Sequence, residues 1–144
     1  MKSRIVIPTV APEAYQALMN LESYVSKTSL TQTHKELIKI RASQINGCAF
    51  CINMHTADAR KYGVSEQRIY LLSAWREADV YTEEEKAILA LTEQVTLINN
   101  HVSEDVYQNA ARLFDEKYLA EIIMMIITIN GWNRIGVTTG MRAI

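Results

Sequence analysis

Hydrophobic residues recur along this chain at spacings of three and four, as in helices with one buried face. Nowhere do they alternate over a strand's length between hairpin turns. Ala14, Leu18, Leu21 and Val25 follow Pro12 in this way, and proline suits a first helical turn. A polar stretch, Ser26 to Thr33, separates that helix from a second, which runs to about Asn46 and stops at Gly47. A third is expected from near Cys48 to Tyr62-Gly63, and a short one from Ser65 to about Ala74. "TEEE", Thr82 to Glu85, is a capping box that opens a helix to about Leu97. "SEDV" at Ser103 opens the next, with two acids in the first turn where the helix dipole favours them. The last long helix covers about Lys117 to Asn130, with a continuation to Val137 left open. The pattern predicts an all-α bundle of about six to seven helices with no sheet.

Two features of the pattern bear on environment. The longest apolar run, "IIMMIITI" from Ile122 to Ile129, falls well short of the roughly 20 residues a membrane span needs, so it reads as a buried helix. Around Met124, Met125, Ile126 and Ile127 that helix is apolar nearly all round and must be covered on every side. In so small a domain, part of that cover is expected from another subunit. The start, "MKSRIVIPTV", carries positive charge but no apolar stretch long enough for a secretory signal.

Composition narrows the picture further. The 144 residues show no linker, repeat or low-complexity tract and are read as one domain, 1–144, which buries roughly 70% of its unfolded surface. Fifteen basic residues face sixteen acidic ones with no basic stripe, so a nucleic-acid partner is not expected. Neither is a membrane. A cytoplasmic location is expected, and there thiols stay reduced. A CxxC pair is then redox-active or metal-binding before it is a structural staple.

The chain's only two cysteines form such a pair in "ELIKIRASQINGCAFCINMH", Glu36 to His55. On a helical wheel Cys48, Cys51, Ile52, His55, Ala59 and Tyr62 share one face of the third helix, with Asn53, Thr56, Arg60 and Lys61 on the other. Cys51 and His55 are one turn apart, within side-chain reach. On the second helix Glu36, Ile40, Ser43 and Gly47 form one stripe leading into the CxxC turn. If Gly47 reverses the chain into a helical hairpin, these faces meet in the order thiol, imidazole, carboxylate, directly or through one water.

That order has a chemical use. Only a thiolate attacks a peroxide or disulfide, and a helix N-terminus lowers the pKa of Cys48 and, less strongly, of Cys51. An imidazole beside Cys51 can take its proton, and a carboxylate can orient the ring. Once one sulfur is oxidised, the other is near enough to resolve it. Helix position favours Cys48 as nucleophile; the adjacent base favours Cys51, and Cys51 is expected to attack, with Cys48 as resolver. Glu36 has a competing explanation, because "THKE", Thr33 to Glu36, is itself a capping-box pattern. Thr31 is a rival N-cap that would leave Glu36 free.

This stretch, with "INGWNRIGV" near the C-terminus, resembles the alkylhydroperoxidase D-like members of the carboxymuconolactone decarboxylase superfamily. The likeness runs from "YQALMNLESYV" through "EEEKAILALTEQVT" to "NGWNR". It implies an all-helical fold assembled as trimers or hexamers, and reduction of organic hydroperoxides or disulfides through the CxxC pair. It also implies a proton relay of Glu36, His55, Cys48 and Cys51; separately, no cofactor and no metal are expected. The electron donor it implies is a thiol reductant of lipoyl or thioredoxin type. Where those members often carry Ser-His between the cysteines, this chain has Ala49-Phe50, an apolar lining. The decarboxylase branch lacks the cysteine pair, so lactone decarboxylation is not expected.

Two other readings compete. One is a zinc module on Cys48, Cys51 and His55, with His101 or Glu36 as the fourth ligand that a closed site needs. The other is a non-catalytic or chaperone-like helical oligomer. Asn130, Trp132, Asn133 and Arg134 are read as polar residues capping the end of the apolar helix rather than shaping a pocket. His34 and His101 are read as surface residues.

Overall fold

The computed structural model describes residues 4–144; Met1–Ser3, part of the start read for a secretory signal, lie outside it. Among the described residues there is no strand. Eight α-helices follow in order: α1 (Ile7–Val10), α2 (Pro12–Ser26), α3 (Gln32–Asn46), α4 (Ala49–Lys61), α5 (Glu66–Tyr70), α6 (Glu83–Thr96), α7 (Glu104–Leu113) and α8 (Glu116–Thr139). Short 3₁₀ segments lie at Leu72–Glu77 and Ile98–Asn100. None of these helices is long and apolar enough to cross a membrane.

Local chemistry sets most boundaries as the sequence suggests. Pro12 starts α2, Thr82 and Ser103 cap α6 and α7 through their side-chain oxygens, and Gly47 ends α3 in the left-handed region at φ 67°. Three boundaries differ. The helix expected over 65–74 ends at Tyr70 and passes into a 3₁₀ segment, inside which Ala74 leaves helical geometry. The chain ahead of Pro12 forms a further short turn, α1. Helix α8 runs through Asn130 to Thr139 and stops only where Gly140 turns left-handed at φ 75°.

Helix α3 is the organising element, packed against α4, α6 and α8. Its Ile38 and Ala42 face one core, with Val25, Ile88, Leu91, Ile122, Met125 and Ile126. Its Leu37 and Ile40 face a second, with Ala59, Leu72, Trp75 and Leu89. A helix buried on two sides orients its polar residues tightly, and it is from α3 that Glu36 projects. On α8, Ile127 keeps 46% of its surface exposed, so a single chain leaves that helix partly uncovered.

Candidate active site

Helices α3 and α4 form the hairpin that the stripe of Glu36, Ile40, Ser43 and Gly47 requires. Gly47 reverses the chain, and Cys48 then caps α4, its sulfur accepting the Cys51 amide hydrogen at 3.3 Å. Cys48 and Cys51 are joined as a disulfide, and both are buried. Cys51, His55 and Ala59 line the buried face of α4 as the wheel indicates, whereas Tyr62 lies past its end and is exposed.

The capping question is decided by Thr31. Its side-chain oxygen accepts the His34 amide hydrogen, so α3 begins at Gln32 and Glu36 sits in the second turn, free of capping. Glu36 is 1% exposed and His55 8%, and their facing atoms, Oε2 and Nδ1, are 3.9 Å apart. Both partners of the glutamate, Gln32 at 3.0 Å and Lys39 at 3.3 Å, bind its other oxygen, Oε1. Oε2 and Nδ1 therefore have no hydrogen-bond partner among the described residues, although they point at each other.

Burial sets the charge of this pair. It pushes the Glu36 carboxyl above its usual range, against the pull of Lys39 and Gln32. It also lowers His55 to about 4, with the Lys39 ammonium adding to the effect and Asp58 opposing it. At neutral pH the imidazole is therefore neutral, with one ring nitrogen unprotonated.

Cys51 and His55 lie on the wall of a cavity of about 820 Å³. Its lining is largely apolar, with Ile7, Met19, Phe50, Met54, Trp132 and Ile135 contributed by α1, α2, α4 and α8. Cys48 faces a different, smaller cavity of about 460 Å³, together with Gly47, Ala49 and Arg142. The two cavities adjoin, sharing Arg4, Gly136 and Gly140 in their walls.

Several residues take roles other than those expected. Asn130, Trp132, Asn133 and Arg134 do not cap α8, because that helix continues past them for more than a turn. Asn133 is fully buried, donates to Ser43 Oγ at 2.9 Å and accepts from Asn46 at 2.9 Å. Asn130 accepts from Asn46 at 3.0 Å and donates to Thr96 Oγ1 at 3.0 Å. Trp132 lines the larger cavity, donates to Glu22 at 2.9 Å and meets Tyr15 edge-on. His34 is half-buried with Nδ1 2.6 Å from the Tyr118 hydroxyl, so it is not a plain surface residue; His101 is exposed.

One residue at the site went unread in the sequence. At Gly136 a Cβ would lie 3.0 Å from Cys48 Sγ and 3.7 Å from Cys51 Sγ. A glycine lets α8 pass this close to the disulfide without displacing a sulfur. A glycine inside an apolar helical stretch was the available signal.

Comparison with known proteins places these features. Residues 12–94 match the sequence profile of the carboxymuconolactone decarboxylase family. The uncharacterized protein YdfG of Bacillus subtilis is 47% identical over 99% of this chain and 98% of its own length. The crystal structure of ATU0492 from Agrobacterium tumefaciens superposes with a TM-score of 0.94 at 42% identity, covering 98% of this chain and 97% of that one. ATU0492 is a protein of unknown function named as a candidate antioxidant defence protein AhpD. The debrominase Bmp8, solved with 2,3,4-tribromopyrrole, shares the fold at a TM-score of 0.79 and 19% identity, over 93% of this chain and 72% of its own.

Proposed function

Because this chain belongs to the carboxymuconolactone decarboxylase family, we propose that it is a thiol-dependent oxidoreductase that reduces organic hydroperoxides through Cys48 and Cys51. The observation that carries this reading is a CxxC disulfide at the first turn of α4, with Cys51 and a buried neutral imidazole on the wall of one apolar cavity.

In the reduced protein, His55 takes the Cys51 proton and shares it with Glu36. The Cys51 thiolate attacks the terminal peroxide oxygen; the O–O bond breaks, the alcohol leaves with one proton, and the sulfur becomes a sulfenic acid. The Cys48 thiol then attacks that sulfur, releasing water and forming the disulfide. Two thiols and one hydroperoxide thus give one disulfide, one alcohol and one water. An external thiol, of lipoyl or thioredoxin type, returns the pair to the reduced state by exchange. The lining of Phe50, Met54, Trp132 and Ile135 favours an apolar peroxide over hydrogen peroxide.

We also propose that copies of the chain associate through α8. Ile123 and Ile127 there border an apolar groove of about 660 Å³ with Leu91 and Val95 of α6.

One experiment tests both readings: intact mass, native and denatured, of the reduced protein before and after one equivalent of an organic hydroperoxide. The expected result is loss of two hydrogens per chain, abolished by Cys51→Ser, and a native mass that is a multiple of the chain. Unchanged denatured mass would refute the peroxidase reading. A native mass of one chain would refute association.

A further inference from the structure

The space between α3 and α4 also has the makings of a metal site. Glu36, His55 and Asp58 each offer one ligand atom there, and all three atoms lie within 4.8 Å of one another. His55 and Asp58 are three apart on α4 and share a face; Glu36 reaches them from α3 across the hairpin. Gln32 and Lys39 hold Oε1 of Glu36, which leaves the buried Oε2 aimed at the equally unpartnered Nδ1 of His55. Asp58 closes the third side. It is partly exposed, with the Lys61 ammonium 4.0 Å from its carboxylate, and so offers a way in from solvent.

We propose that Glu36, His55 and Asp58 form a zinc site separate from the thiols. One imidazole and two carboxylates suit zinc, whereas magnesium prefers an all-oxygen shell. Three protein ligands leave the fourth tetrahedral position to water. The ion would draw together two carboxylates that otherwise repel, and the Lys39 ammonium on the far side of Glu36 tempers its affinity. Its consequence rests on the peroxidase reading: zinc on Oε2 and Nδ1 occupies the atoms through which the Cys51 proton passes and halts thiol oxidation.

The test uses the disulfide form of the whole protein, in which neither sulfur is free to bind, titrated with zinc chloride by calorimetry in a non-chelating buffer. One zinc per chain is expected. Glu36→Gln and Asp58→Asn, each checked for folding by circular dichroism, are expected to weaken binding about tenfold or more. His101→Asn should leave it unchanged, and magnesium chloride should give no binding. The proposal is overturned if the oxidised protein binds no zinc, if binding survives both carboxylate substitutions, or if it is lost in His101→Asn. Zinc binding at these residues in a protein that no hydroperoxide oxidises would uphold the site and refute the peroxidase reading. Peroxide-driven disulfide formation without zinc binding would do the reverse.

Discussion

At the scale of single residues, the site depends on one oxygen and one missing side chain. The oxygen is Oε2 of Glu36, freed because Thr31 rather than Thr33 caps α3 and because Gln32 and Lys39 both take Oε1. Both threonines stand at plausible capping distances in the sequence, and only the backbone path chooses between them. The missing side chain is at Gly136. An alanine there gains about 1 kcal/mol of helix propensity but puts its methyl 3.0 Å from Cys48 Sγ, an overpacking worth about 1–3 kcal/mol. The two effects offset, so Gly136→Ala should change overall stability by less than about 2 kcal/mol in urea unfolding. Disulfide formation should suffer more, because the sulfurs take up the displacement. A fall of about tenfold in the oxidation rate, for about 1.4 kcal/mol of barrier, is expected in stopped-flow mixing with an organic hydroperoxide. An unchanged rate would show that the close approach has no bearing on the chemistry.

At the scale of elements, α8 is where sequence and structure part most. Its polar residues Asn130 and Asn133 read as an end, yet they lie mid-helix. The reason is a chain of side-chain hydrogen bonds across α3, α8 and α6, from Ser43 through Asn133, Asn46 and Asn130 to Thr96. A buried amide is tolerated inside a helix when a neighbouring element supplies partners, and no local pattern reports that neighbour. This chain of bonds fixes the C-terminal turn of α3 against α8, and with it Gly47 and the cysteine turn. Asn133→Ala leaves Ser43 and Asn46 short of a buried partner and should cost about 1–3 kcal/mol in chemical denaturation. A cost near zero would mean that the network only fills space.

At the scale of the whole molecule, the two cores on either side of α3 are held together partly by Glu93 of α6. It accepts from Arg41 of α3 at 3.1 Å, and from Trp75 and Arg76 of the 3₁₀ segment at 2.8 and 2.7 Å. Burial alone would raise its pKa, but these donors outweigh burial and hold it below the usual carboxylate range. A carboxyl depressed in the folded state contributes stability above its unfolded pKa and loses it as pH falls through the folded value. Wild type should therefore exceed Glu93→Gln by about 2 kcal/mol at neutral pH, and the gap should close as the pH falls below the usual carboxylate range in parallel thermal melts. A gap that does not change with pH would remove charge as its cause.

The hydrophobic period and the caps at Pro12, Gly47, Thr82 and Ser103 determined the all-helical fold and its main helices, because those signals act within one or two turns. The CxxC pair and His55 were likewise legible, since they share one helix. The meeting of Glu36 with His55, the glycine beneath the sulfurs, the asparagine network and the cavities beside Cys51 and Cys48 were decided only by tertiary structure. Each depends on which helix packs against which, and a contact between residues 84 or more positions apart, as between Asn46 and Asn130, leaves no trace in local spacing.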